Sequence, residues 1–409
     1  ILTIPFDGPF FQSGNSRMRI SVFDGLRGYF LIVMTMVHMS SECHTKIGAL
    51  RIEDFGWVDS AHGFVFLSGL VVGIVYGRRL IRQSRSAMTS GLMHRLMTIY
   101  GYHAILLAAI TLSVVTFYRP PSTFDTHWGE NPLLVSLFAF LLLDSPRYLG
   151  ILPMYATFVL ATPIILIQLQ KQRYALVLVS SLALWTVAQT GLPTHLLQAI
   201  DVASGLKQQG IAVGLYFDRF AWQILYVGGL VLGMLIAQEK LSLNILHSPE
   251  YRAIFLVCVA TAIAFAISAI RLRLFDAVPR TSFFGELSYN RSHFSALRLI
   301  NFIVDLYIIT WLLAAGTGDR NPAVRAAARG LRWLASFRPL VFLGQHSLQV
   351  FSFHVFLVYA AMFADISEAP RLLREMVVLA SPVCLLLPAY LHARYRDRSQ
   401  RLRLSGAKP

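Results

Sequence analysis

Arg27 and His38 are two side chains whose types and spacing can do chemistry together. They sit in FDGLRGYFLIVMTMVH, residues 23 to 38, where an apolar helix-length run begins at Asp24 and Arg27 and closes on a lone histidine. An imidazole is a base at neutral pH, and a guanidinium binds anions through a rigid fork of donors. Eleven residues of helix bring the two back to within roughly 20° of one face, about 16 Å apart along the axis. One face thus carries a cation at its foot and a titratable base near its head. Inside a bilayer such groups are costly and mark a site. Asp24 lies three residues before Arg27, where it either pairs with the arginine at the interface or shares its site.

The loop after His38 adds Glu42, His44, Asp54, Asp59 and His62 before the next apolar run. A carboxylate beside an imidazole holds its tautomer and raises its basicity, so Asp59 or Glu42 is the expected partner of His38. Asp59 and His62, three residues apart, are placed to share its cavity. Further polar residues fall within apolar runs: Ser68, Tyr155, Trp222 and Gln223, then Gln345, His346, Ser347 and His354. At membrane depth these must face protein or water, either lining a cavity or bonding neighbouring helices. His346 is ranked above His354 as a site residue. Tyr118, Trp128, Tyr289, Asn290, Arg291 and His293 suit a carbohydrate shelf on the outer side, or an interfacial aromatic belt.

The elements that must position these groups are membrane spans. Hydrophobic residues make up 56% of the chain and charged residues only 14%, against about a quarter charged in a soluble domain. Runs able to cross about 30 Å of hydrocarbon occur at 23–41, 60–78, 96–117, 148–168, 173–190, 219–238, 252–270, 298–316, 339–362 and 375–392. The expected fold is all-α and polytopic, with about ten transmembrane helices. A shorter run at 131–143 reads as a re-entrant or interfacial helix. The expected organisation is a cytoplasmic segment 1–22, a single membrane domain 23–392, and a basic tail 393–409. No cleavable signal is expected in the first 22 residues.

Lysine and arginine concentrate in alternate loops, which places both termini in the cytoplasm. Segment 271–298 departs from that rule with Arg271, Arg273, Arg280, Arg291 and Arg298, so these arginines have work to do or the parity fails there. The net charge of +15 is spread over short loops, which suits anionic lipid and not nucleic acid. Cys43, Cys258 and Cys384 give neither a disulfide framework nor a zinc spacing, no metal is expected, and no phosphate-binding glycine loop is present. A transporter is the rival class, but no internal repeat supports it.

Arg27 followed by His38 resembles the Arg-x10-His signature of the acyltransferase-3 family of membrane acyltransferases. DFGWVDSAHGFVFLSGLVVGIVYG at 54–77, LPMYATFVLATP at 152–163, FDRFAWQILYVGGLVLG at 217–233 and LVFLGQHSLQVFSF at 340–353 resemble, in order, the OpgC family. These are succinyltransferases of osmoregulated periplasmic glucans, and the similarity runs over most of 17–392. His62 stands where that pattern has an acidic residue.

The resemblance implies a bacterial inner-membrane enzyme that moves an acyl group, succinyl above all, from cytoplasmic acyl-CoA to a sugar hydroxyl of a periplasmic glucan. Acyl-CoA is a co-substrate, with no permanently bound cofactor. The catalytic residues would be His38, Asp59 and His62, by proton abstraction or through an acyl-histidine. Arg27, Asp24, Arg78, Arg79 and Ser68 would receive the donor. Glu42, Trp57, Tyr155, Trp222, Gln345, His346 and Arg291 would receive the acceptor, with Ser68 or Gln345 as oxyanion donor. An O-acetyltransferase of another polysaccharide or lipid is the nearer alternative, and a homodimer stays open.

Overall fold

A computed structural model describes residues 21–45, 56–117, 131–205, 218–275 and 293–404, with side chains omitted at 201, 270–275 and 399–404. Every regular element among them is helical. In chain order these are α1 Ser21–Glu42, α2 Ser60–Arg82, α3 Arg85–Phe117, α4 Pro132–Phe140, α5 Ile151–Gln170, α6 Tyr174–Gln189, α7 Leu192–Ala203, α8 Arg219–Ala237, α9 Pro249–Phe275 and α10 Ala296–Ala314. Then follow α11 Pro322–Ser336, α12 Arg338–Gln345, α13 Ser347–Phe363, α14 Arg371–Cys384 and α15 Leu386–Leu404. Eight helices are long and apolar enough to cross a membrane, and ten segments qualify if each of two bent pairs counts as one. All ten fall on the expected runs.

Four boundaries differ from expectation. The ninth span is not one rod: α12 and α13 meet at 90°, with the break at His346 inside the polar run Gln345-His346-Ser347. The fifth bends by 61° between α6 and α7, where Gly191 takes a left-handed φ of 72° and Pro193 opens the new helix. Helix α3 begins at Arg85, 33 residues in all, so its first turns extend a polar stem beyond the apolar stretch. Helix α15 runs on to Leu404, past the expected end of the last apolar run at 392. The short run near 131–143 does form a helix, α4, of nine residues, too short to cross.

Backbone contact between glycines fixes the centre of the bundle. Gly69, Gly73 and Gly77 recur every four residues along one face of α2, and Gly229 and Gly233 do so on α8. A Cβ at Gly69 would fall on the carbonyl oxygen of Tyr226, one at Gly229 on that of Phe66, and one at Gly233 on that of Leu70. Helices in lipid gain nothing from burying apolar surface against each other, so close approach of small residues is what holds them. Rising numbers on α2 meet rising numbers on α8, so the second and sixth spans run in the same direction.

Helix α1 is gripped in the same manner. Gly25 faces the Ala335 carbonyl, Gly28 the Leu340 carbonyl, and Gly344 of α12 the Asp24 carbonyl. The two glycines of DGLRG therefore admit the α11–α12 turn against α1, and this delivers the start of α13 to Arg27. The first and ninth spans also run in the same direction, since Arg27 meets Ser347 and His38 meets His354.

Candidate active site

His38 lies half-buried near the end of α1, and its Nδ1 is 2.9 Å from Nε2 of His354 on α13. His354 is fully buried, and its Nδ1 is 2.9 Å from the carbonyl oxygen of Phe351. A carbonyl only accepts, so His354 Nδ1 carries hydrogen, and the neutral ring has its lone pair on Nε2. That lone pair takes the Nδ1–H of His38. In this tautomer the ring lone pair of His38 is on Nε2. Phe351 and His354 are three residues apart, so one turn of α13 supplies the whole anchor.

A second shell of contacts surrounds the imidazole from outside the spans. The ring of Tyr148 lies 4.4 Å from that of His38 at 41°, and its hydroxyl donates to Glu42 Oε1. Glu42, one turn beyond His38 on α1, is 3.7 Å from the guanidinium of Arg147. Tyr359 of α13 donates to the Arg147 carbonyl at 2.8 Å, tying this loop to the helix that carries His354. Burial and the bond to Glu42 push the Tyr148 phenol above its usual pKa, so it stays a donor. Arg374 of α14 donates to the carbonyl oxygens of Cys43 and His44 at 3.4 and 3.5 Å, capping the end of α1.

Toward the other end of α1, Arg27 donates to Ser347 Oγ at 2.5 Å and lies 5.7 Å over the Phe64 ring. Asp24 and Arg95 are its electrostatic neighbours. Arg95 of α3 donates from Nε and Nη2 to the Tyr155 hydroxyl at 3.2 and 2.7 Å. Both guanidiniums thus donate to neutral hydroxyls, and Arg27 also has the Asp24 carboxylate as a neighbour. Arg79 stacks 5.2 Å over Tyr76, and Tyr76 has Arg95 and Arg79 among its neighbours. Arg78 instead has Arg82 and Glu239 beside it. Ser68 is buried on α2.

Other expected site residues are placed elsewhere. Asp59 is the N-cap of α2: its Oδ1 accepts from the Ala61 and His62 amides, and its own amide donates to His62 Nδ1 at 2.9 Å. This reciprocal capping box commits Asp59 Oδ1 and His62 Nδ1 to the amides that open α2. His62 stacks on Trp222 at 4.6 Å and 12°, both fully buried, so Trp222 packs in the core of the bundle. His346 pairs with His392 of α15, Nδ1 to Nδ1 at 2.8 Å, and Gln345 is half-buried at the bend beside it. Of the two histidines of the ninth span, the lower-ranked His354 is the one that meets His38.

Trp57 is held by its backbone, its amide donating to Asn301 at 2.8 Å and its carbonyl accepting from Arg298 at 2.6 Å. Arg298, one of the arginines that break the charge rule, is a buried clamp on the approach to α2. Arg291, Arg271, Arg273, Arg280, Asp54, Tyr118, Trp128, Tyr289 and Asn290 lie outside the described residues and side chains. His293 pairs with Asp218 at 3.2 Å.

Tyr148, Arg147 and Arg95 were not expected at the site. Tyr148 and Arg147 carry no sequence signal, because a loop's docking partner is not written in its own residues. Ser347 and His354 do carry one: seven residues apart, they share a face across two turns, as Arg27 and His38 do across three.

Bundle and site together define a polytopic helical membrane protein with a pair of hydrogen-bonded histidines at one end of its first span and two arginines toward the other. The family model described as OpgC protein matches residues 19–399, and the chain belongs to that family. Membership points to an acyltransferase. No curated protein and no solved structure matches the chain.

Proposed function

We propose that the protein is a membrane O-acyltransferase that moves an acyl group, succinyl in the first instance, from cytoplasmic acyl-CoA to a hydroxyl of a periplasmic glucan. The chain Phe351 carbonyl, His354, His38 carries this reading, because it leaves His38 Nε2 as a base on a half-buried ring. His38 Nε2 takes the proton of the attacking hydroxyl as its oxygen bonds to the thioester carbon. The carbon–sulfur bond then breaks, and the CoA thiolate receives that proton from the imidazolium. While His38 is charged, its Nδ1–H donates to His354 as a charge-assisted bond.

Arg27 and Arg95 serve the anionic donor, and about 16 Å of helix between Arg27 and His38 suits a long pantetheine arm. In the inner membrane with both termini cytoplasmic, Arg27 faces the compartment of the donor and His38 that of the glucan. The test is acyl transfer from labelled succinyl-CoA to glucan by purified protein in liposomes, wild type beside His38→Ala at matched incorporation. Loss of transfer by about a hundredfold or more is expected for removal of a general base. Undiminished transfer removes the proposal, and solute movement without acyl-CoA consumption would favour a transporter instead.

A further inference from the structure

Glu42 carries an oxygen that the mechanism above leaves unused. Oε1 takes the Tyr148 hydroxyl and faces Arg147. Oε2 is buried and has no hydrogen-bond partner, in a side chain 3% exposed. A buried carboxylate oxygen without a donor is costly and calls for one supplied in the working state. Glu42 and His38 are four residues apart on α1, which sets their Cβ atoms about 6 Å apart on one face. Two hydroxyls of one sugar ring, each hydrogen-bonded outward, bridge a gap of that size.

The cover over this pair is strained. Tyr148 has φ 67°, the left-handed region that an aromatic residue with a Cβ enters only when its surroundings force it. What forces it is visible: the ring on His38, the hydroxyl on Glu42, and the Arg147 carbonyl tied to Tyr359. Tyr148 thus lies where a sugar ring would sit, with its face against the imidazole and its hydroxyl on the neighbouring oxygen of the same carboxylate.

Resting on the proposed transfer reaction, we infer that Glu42 is the acceptor-binding residue: Oε2 takes a hydrogen bond from a second hydroxyl of the sugar whose first hydroxyl His38 deprotonates. Tyr148 is the occupant that the acceptor displaces. The acceptor class is then a polyol presenting two neighbouring hydroxyls, and a lone alcohol is a poor substrate.

The experiment uses the full chain in liposomes with acyl-CoA, and methyl glucoside with its set of singly deoxygenated analogues as acceptors. One analogue loses acylation altogether, which identifies the attacking hydroxyl. A second, lacking the neighbouring hydroxyl, is expected to lose about tenfold or more in kcat/KM with wild type. In Glu42→Gln that second penalty should shrink to about twofold and the KM for glucan should rise about tenfold. An equal penalty in variant and wild type, or a glucan KM that does not move, overturns the inference. So does a wild type that uses every remaining analogue equally well, a measurement that needs no variant to fold. His38→Ala separates the two claims: full transfer by that variant defeats the base, whereas its loss with an undiminished penalty in Glu42→Gln defeats only the role of Glu42.

Discussion

Replacing His354 with phenylalanine tests the relay without touching the base. The substitution fills the fully buried site with a ring of similar size and removes the acceptor 2.9 Å from His38 Nδ1. In the ground state His38 loses one neutral hydrogen bond, about 0.5–1.5 kcal/mol, while the lost bond to the Phe351 carbonyl is common to ground and transition states and cancels in the barrier. In the transition state His38 is becoming an imidazolium, and the bond lost there is charge-assisted, about 1.5–3 kcal/mol. The barrier rises by the transition-state term less whatever the ground state also loses. If the free enzyme relaxes by turning Nδ1–H toward water, the whole of it counts. At about 1.4 kcal/mol per decade, kcat should fall about 10-fold to 150-fold, a smaller loss than for His38→Ala. Donor and acceptor KM should change little, because His354 touches neither. The assay is steady-state transfer in liposomes at saturating acyl-CoA, with thermal unfolding as a control on packing. A kcat within twofold of wild type in a folded protein refutes the relay. A fall as complete as that of His38→Ala would show His354 to be as indispensable as His38, which is more than a relay role explains.

Arg27→Gln should raise the KM for acyl-CoA about tenfold or more, as expected for a lost charge-assisted contact, with membrane insertion unchanged; normal donor affinity in equilibrium binding refutes it. Gly69→Ala places a methyl on the Tyr226 carbonyl and should cost about 1–3 kcal/mol, lowering the melting temperature in detergent, whereas Gly228→Ala, with open space around its added carbon, should leave it unchanged. Asp319 accepts from Arg252 at 2.6 Å, and that bond holds its carboxyl below the ordinary range. A depressed carboxylate stabilises above its unfolded pKa, so wild type should unfold above Arg252→Gln at pH 6, and the gap should close as the pH falls below about 4. A gap that persists at pH 3 would assign the difference to packing.

The ten apolar segments were legible because length and hydropathy alone define a span, and each sits where the composition places it. The bend in the ninth span was not, although the three polar residues at 345–347 stand at it. Hydropathy averages over such a run, and a helix broken inside a bundle leaves the average intact. The site divides in the same way. Arg27 and His38 were readable because both lie on one helix, where spacing is angle. The partner of His38 is 316 residues away, and a sequence states which face of each helix is polar but not which faces meet. That is why Asp59, near in sequence and acidic, was the expected partner. Its side chain instead satisfies the exposed amides at the start of α2, the commoner use of an aspartate in that position. The glycines of α2 and α8 show the converse, a signal at spacing four that needed only the partner helix to become a contact.

Helices α1 and α13 are joined at two points, Arg27 to Ser347 and His38 to His354. The first interval is about 16 Å of helix and the second about 10 Å, so the two axes are not in simple register. A single inserted residue between Ser347 and His354 would turn one contact away by about 100° while leaving the other in place. Length changes in these two segments are therefore tolerated only together or not at all. In a library of random insertions and deletions, positions 27–38 and 347–354 should stand out as depleted windows within spans whose hydropathy would accept the change.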